Sequence, residues 1–189
     1  MSRQARHIRD AGPEDAAELL QLWAEAARSG GNSLRAQDDA ERALANLAAA
    51  SDERLLVAES EGRIVGAMKL SRGPISPLVL ESVVHTSFLL VLPEFRRHGF
   101  GRALMEAAVG WAEEKDINEL TVLTDGNRET NRFFARLGLS TLGTVRHSSV
   151  PGVRKKLSVE GRHRGAGNNR HLVEVLAQRR SARRRQGSA

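Results

Sequence analysis

Apolar positions change period several times along this chain, and each change marks a candidate element. "ARHIRDA" at 5–11 reads as a short first strand. In the segment that follows, Leu19, Leu20, Trp23 and Ala27 recur at helical spacing. Pro13 suits a first helical turn, Glu14 and Asp15 stand where the helix dipole favours acids, and Gly30-Gly31 ends the pattern. "AQDDAERALANLAAA" predicts a second helix with Leu44 and Leu47 inward. "RLLVAES" and "EGRIVGAMKL" predict a hairpin turning at Glu61-Gly62. "SRGPISPLV" is a Pro-broken loop, and "ESVVHTSFLLVL" at 81–92 is a long, β-branched, apolar strand.

The second half continues the alternation. Phe100, Leu104, Ala108 and Trp111 define a helix within "GFGRALMEAAVGWAEEKD". "NELTVLT" reads as a buried strand, and "NRETNRFFARLGL" as a short helix ending at Gly138. "STLGTVRHSS" and "GVRKKLSV" are expected to close the sheet as a pair of strands around Pro151-Gly152. Strands interleave with helices, which predicts an α/β domain with a mixed sheet over residues 1–160. From Gly161 the pattern breaks into a Gly-rich basic linker, then a helix-permissive stretch with Leu172, Val175 and Leu176 on one side.

Charge sharpens that boundary. Residues 1–145 carry 17 Lys/Arg against 21 Asp/Glu, whereas 146–189 carry 12 against 2. The net charge of +6 therefore describes the tail at 161–189 more than the domain. Arg179, Arg180, Arg183, Arg184 and Arg185 admit two readings: a solvated, frayed terminus, or an electrostatic contact with nucleic acid or an acidic partner. No aromatic residue interleaves with them, so base stacking is not suggested. A third reading docks the Leu172 face on a second subunit, and a homodimer is the default assembly because symmetric dimers are the commonest oligomers.

Cysteine is absent, which excludes disulfides, thiolate metal sites and a thiol nucleophile. No apolar run approaches the length of a bilayer span, and the N-terminus lacks a signal-peptide core, so a cytoplasmic location and no membrane partner are expected. No metal site is expected. Tyrosine is also absent.

The chemistry concentrates in "LPEFRRHGFGRAL" at 92–104. A Walker A loop needs G-x-x-x-x-G-K-[ST], which is missing. A dinucleotide fingerprint needs a third glycine where Leu104 stands. A pyrophosphate loop fits better: backbone N–H groups of 97–102 converge at a helix start, Gly99 and Gly101 permit close approach, and Arg96, Arg97 and Arg102 add charge. A plain glycine loop with solvated arginines is the competing reading.

At this point "LLVLPEFRRHGFGRALMEAAVGWA" resembles the acetyl-CoA motif of the GNAT N-acetyltransferase superfamily, a strand ending V-x-P followed by R-x-x-G-x-G and a helix. Val91, Pro93, Arg96, Gly99 and Gly101 carry the match. "VLTDGNRETNRFFARLGL" resembles the second family motif through Asn127, Phe133 and Gly138, with Thr130 and Leu139 as departures. The resemblance spans roughly residues 5–157.

The resemblance implies a central mixed, mostly antiparallel twisted sheet flanked by helices, with a basic C-terminal extension. It implies an acetyl-CoA-dependent N-acetyltransferase whose primary-amine acceptor, a small molecule or a protein, attacks the thioester directly. The pantetheine arm would pair with the backbone of Leu89, Leu90 and Val91. The pyrophosphate would lie on Arg97, His98, Gly99, Phe100, Gly101 and Arg102, with Arg96 close by. Asn127 would bind the arm from the far side, and a main-chain N–H near Val91 would polarise the thioester carbonyl. The family's base position falls at His85, and imidazole exchanges protons near neutral pH. A packed strand histidine is the other reading. Glu81 and Asp125 are reserve bases. The family's Tyr position beside the cofactor sulfur is Phe134, which also has core neighbours in Phe133 and Leu137. A weakly active CoA-binding scaffold with an interacting tail is the alternative function.

Overall fold

The computed structural model describes residues 6–27, 37–124 and 126–157. The chain divides into two compact units, Met1–Ser140 and Thr141–Ala189. In the first unit β1 (His7–Asp10), β2 (Glu53–Ser60), β3 (Arg63–Pro74), β4 (Ser82–Val91) and β5 (Leu120–Val122) form one sheet in chain order. The first three pairings are antiparallel and β4–β5 is parallel. The helices are α1 (Ala16–Ala27), α2 (Gln37–Ala49), α3 (Phe100–Glu114) and α4 (Arg128–Arg136).

Strand alternation gives the sheet two apolar faces. One face buries Leu56, Val65, Leu70 and Val84 with Phe100, Leu104 and Trp111 of α3 and Phe134 of α4. The other buries Leu55, Val57, Ile64 and Ala67 with Leu19 and Leu22 of α1 and Leu44 of α2. The β2–β3 turn uses Glu61 and Gly62 at φ 53° and 77°, the left-handed pair a two-residue hairpin needs. Entry to α1 is held by Asp15, which is buried, accepts from Gly12 N–H and pairs with Arg9. The Arg9 guanidinium and the Gly12 N–H hold the Asp15 carboxyl below its ordinary range.

The structure departs from the sequence reading after the second motif. Residues 141–149 form no strand, and 150–157 are helical. The physical reason is local. Ser149 Oγ accepts from Gly152 N–H at 3.2 Å, Ser149 C=O accepts from Val153 N–H, and Pro151 sits in the first turn. That is an N-cap followed by a proline whose fixed φ suits a helix start. The same Pro-Gly pair therefore opens a helix and does not turn a hairpin. The tail, including Leu172, Val175, Leu176 and its five clustered arginines, lies outside the described residues, as does Asp125. Among the described residues no helix is long and apolar enough to cross a membrane.

Candidate functional site

The site grows from an irregularity in β4. Ladder pairing with β3 shifts register between Ala67 and Lys69, and Phe88, on β4 within that shift, has φ 54°. This is a β-bulge, which bends its strand and sharpens the local twist. On the opposite edge β4 pairs with β5 only through Val84, His85 and Thr86. The last bond there runs from Leu123 N–H to Thr86 C=O at 2.8 Å. β5 ends at Val122, so from Ser87 onward β4 has no strand partner on this side among the described residues and offers a free backbone edge.

Alternation says which groups line that edge. Leu92 N–H donates to Val65 C=O at 2.9 Å, so Leu90, opposite Ala67, also turns its backbone toward β3. Leu89 and Val91 then present theirs to the gap. Val91 C=O accepts from Arg96 Nε at 3.3 Å, in keeping with that direction.

The gap leads to the start of α3. Pro93–Phe95 form one 3-10 turn, Arg97 has φ 63°, and Gly99 has φ 89° as the residue before the helix. Among the described residues no side chain caps α3, and the first-turn N–H groups of Phe100, Gly101 and Arg102 have no intrahelical acceptor. Gly99 is favoured by its positive φ, and the mobile end of the exposed Arg6 side chain rests where a Cβ would project. A Cβ on Gly101 would meet only the Phe133 ring, at an ordinary 3.6 Å. Arg97 reaches Glu129 of α4 at 3.6 Å, Arg102 reaches Glu106 at 2.9 Å, and His98 Nδ1 contacts Arg96 C=O at 2.8 Å. Arg6 was invisible to sequence reasoning because it precedes β1, more than ninety residues from the loop it touches.

Asn127 starts α4, where its Oδ1 accepts from Thr130 N–H at 2.9 Å. Phe134 is buried in the core, and its ring packs edge-on against Phe133 at 5.1 Å. His85 is half-buried on the face shared with α1 and α2, opposite to Val84. Its Nδ1 lies 2.8 Å from Thr121 Oγ1 on β5, and its Nε2 end lies beside Gly73 of β3. The contact with Thr121 had no signal in the sequence, since it depends on the β4–β5 register. Glu81 is exposed just before β4, at the end remote from the phosphate loop, and the fold does not bring it to the free edge.

The acetyltransferase (GNAT) family model matches residues 16–139, about two thirds of the chain. The chain belongs to the GNAT family. This GNAT protein is similar in fold to a transcriptional regulator from Bacillus halodurans C-125, with TM-score 0.69, 19% identity, and coverage of 77% of this chain and 99% of that one. It is similar to glucosamine-6-phosphate N-acetyltransferase from Arabidopsis thaliana, with TM-score 0.66, 14% identity, and 78% and 99% coverage. An aminoglycoside N-acetyltransferase in complex with CoA matches with TM-score 0.63, 19% identity, and 77% and 95% coverage. No protein of curated function matches the sequence. The expected mixed, mostly antiparallel sheet flanked by helices is the GNAT fold found here. Among the described residues of this GNAT chain no three His, Cys, Asp or Glu side chains gather as metal ligands.

Proposed function

We propose that this GNAT protein is an acetyl-CoA-dependent N-acetyltransferase acting on a primary amine by direct attack, without a covalent enzyme intermediate. The observation that carries the reading is the free edge of β4 opening onto the uncapped start of α3. The edge supplies N–H and C=O groups to an extended amide-bearing arm, as an added strand would. The orphan N–H groups of Phe100, Gly101 and Arg102 fit phosphate oxygens at the positive end of the helix dipole. Arg6, Arg96 and Arg97 add charge around that cradle, with His98 in the same turn. The residues present therefore fit CoA. Acetyl-CoA supplies the activated thioester.

The chain's own groups then act as follows. The Leu89 N–H donates to the thioester oxygen as it gains charge. Val91 N–H faces the same gap but lies two residues further from His85, about 7 Å along a strand. Leu89 is thus the nearer of the two donors to His85, and Val91 is left to bind the arm. The nitrogen of His85 on the gap side is Nδ1. With its proton on Nε2, Nδ1 accepts from the Thr121 hydroxyl and draws the amine's proton through it. The amine nitrogen bonds to the acetyl carbon, the carbon–sulfur bond breaks, and the sulfur leaves as thiolate. Phe134 brings no hydroxyl, so solvent protonates that thiolate. Asn127 orders the start of α4 beside the gap.

An acetyl-CoA thiol-release assay over small amines, amino sugars and protein N-termini tests the reading. At least one amine is expected to be acetylated, and His85→Gln should lower kcat about 10²-fold or more while acetyl-CoA still binds. Tight CoA binding with no acceptor turned over would instead establish a scaffold.

A further inference from the structure

We infer that the acceptor is a primary amine bearing an aromatic arm, gripped by Phe88 and Trp23. The inference rests on the N-acetyltransferase reading and names the substrate class for that site. Phe88 combines two unusual features. Its φ of 54° is one that bulky side chains rarely adopt, and the residue is 48% exposed. A strained, exposed aromatic is retained where the surroundings hold it for use. The position is specific: Phe88 is the bulge residue, immediately before Leu89 and three after His85. Its ring lies 6.2 Å from that of Trp23 on α1, tilted by 46°. Trp23 packs on the α1–α2 core, so the ring pair stands on the same sheet face as His85. Two tilted rings at this spacing leave an edge and a face for a third ring.

Charge argues against a polycationic acceptor. On β3, Lys69 stands opposite Ser87, on the sheet face that carries His85. Its carboxylate partner Glu53 is already engaged with it at 3.1 Å. A second ammonium on the acceptor would meet a paired acid and this cation along the stretch. An apolar ring meets Phe88 and Trp23.

The test compares phenethylamine, ethanolamine and an aminoglycoside as acceptors of the full chain with saturating acetyl-CoA. We expect kcat/KM for phenethylamine to exceed that for ethanolamine at least tenfold, an aromatic contact expressed as discrimination. Phe88→Gly suits the left-handed backbone and keeps the fold, and it should collapse that ratio toward unity, mainly through KM. Trp23→Leu gives a second route to the same collapse. Equal kcat/KM for the two amines, a preference for the aminoglycoside, or a ratio untouched by both substitutions would overturn the aromatic-acceptor inference alone. Acetyl-CoA binding with turnover of no amine would overturn the N-acetyltransferase reading beneath it.

Discussion

At the residue scale, the side chains that matter work through contacts far apart in the chain. Asp15 is the clearest structural case. Arg9 Nη1 donates to its Oδ2 at 2.6 Å and Arg9 Nη2 to its Oδ1 at 2.8 Å, while Gly12 N–H donates to Oδ2 at 2.8 Å. These donors lower the pKa of Asp15 in the folded state. A depressed carboxyl pKa stabilises the fold above the unfolded value of 3.8, and that contribution is lost as pH falls through the folded value. Asp15→Asn should therefore cost about 1–3 kcal/mol near neutral pH. It should also flatten the dependence of stability on pH below the unfolded value. Urea unfolding of both proteins across that acid range measures the two slopes, and parallel slopes would remove Asp15 from the account. His85 depends on the same kind of non-local partner: Thr121 turns it toward the gap, and only the β4–β5 register brings the two together.

At the element scale, the loop into α3 is a local device and the edge of β4 is a collective one. The turn at Pro93–Phe95, the positive φ of Arg97 and Gly99, and the uncapped helix start all follow from a dozen consecutive residues. Its glycines have different standing. Gly99 is constrained by its left-handed backbone, so replacing it would strain the loop as well as affect any ligand. Gly101 has φ in the ordinary range and ordinary space around it, which makes it the better probe. Gly101→Val should weaken acetyl-CoA binding tenfold or more, about 1.4 kcal/mol, with little change in melting temperature. Titration calorimetry and a thermal melt read the two quantities separately, and unchanged affinity would detach this loop from phosphate binding. The free edge of β4 needs the bulge at Phe88, the end of pairing at Thr86, and a short β5 together.

At the scale of the whole molecule, charge and chemistry lie in different parts of the chain. The candidate site draws on Arg6, Trp23 and residues 85–134 within the first compact unit, and the net positive charge lies after residue 145. We retain residues 1–160 as the proposed acetyltransferase domain and 161–189 as a separate basic tail. A chain ending at residue 160 should then bind acetyl-CoA within about threefold of the full chain, roughly 0.6 kcal/mol. If removal of the tail abolishes binding, the tail contributes to the site and the proposed boundary is wrong.

What the sequence determined by itself are the features whose cause lies within one turn or one strand. Helical spacing in α1, α2 and α3, alternation in β2–β4, the Glu61-Gly62 turn and the glycine loop were all legible, because period, capping and φ preference act over a few residues. The family motif was legible for the same reason, since it is a strand, a loop and a helix in succession. Where two local signals competed, sequence reasoning chose the wrong one: Ser149 and Pro151 start a helix at 150–157 in place of the expected strand pair. The tertiary structure decided what depends on partners dozens of residues away. It set where β4 and β5 part, which backbone groups face the gap, that Phe88 is bulged beside Trp23, that Thr121 holds His85, and that Arg6 lies on Gly99. Each of these is fixed by ladder register and by the packing of helices on the sheet. No stretch of sequence read in isolation contains that register, because a shift of one residue reverses which face a side chain occupies.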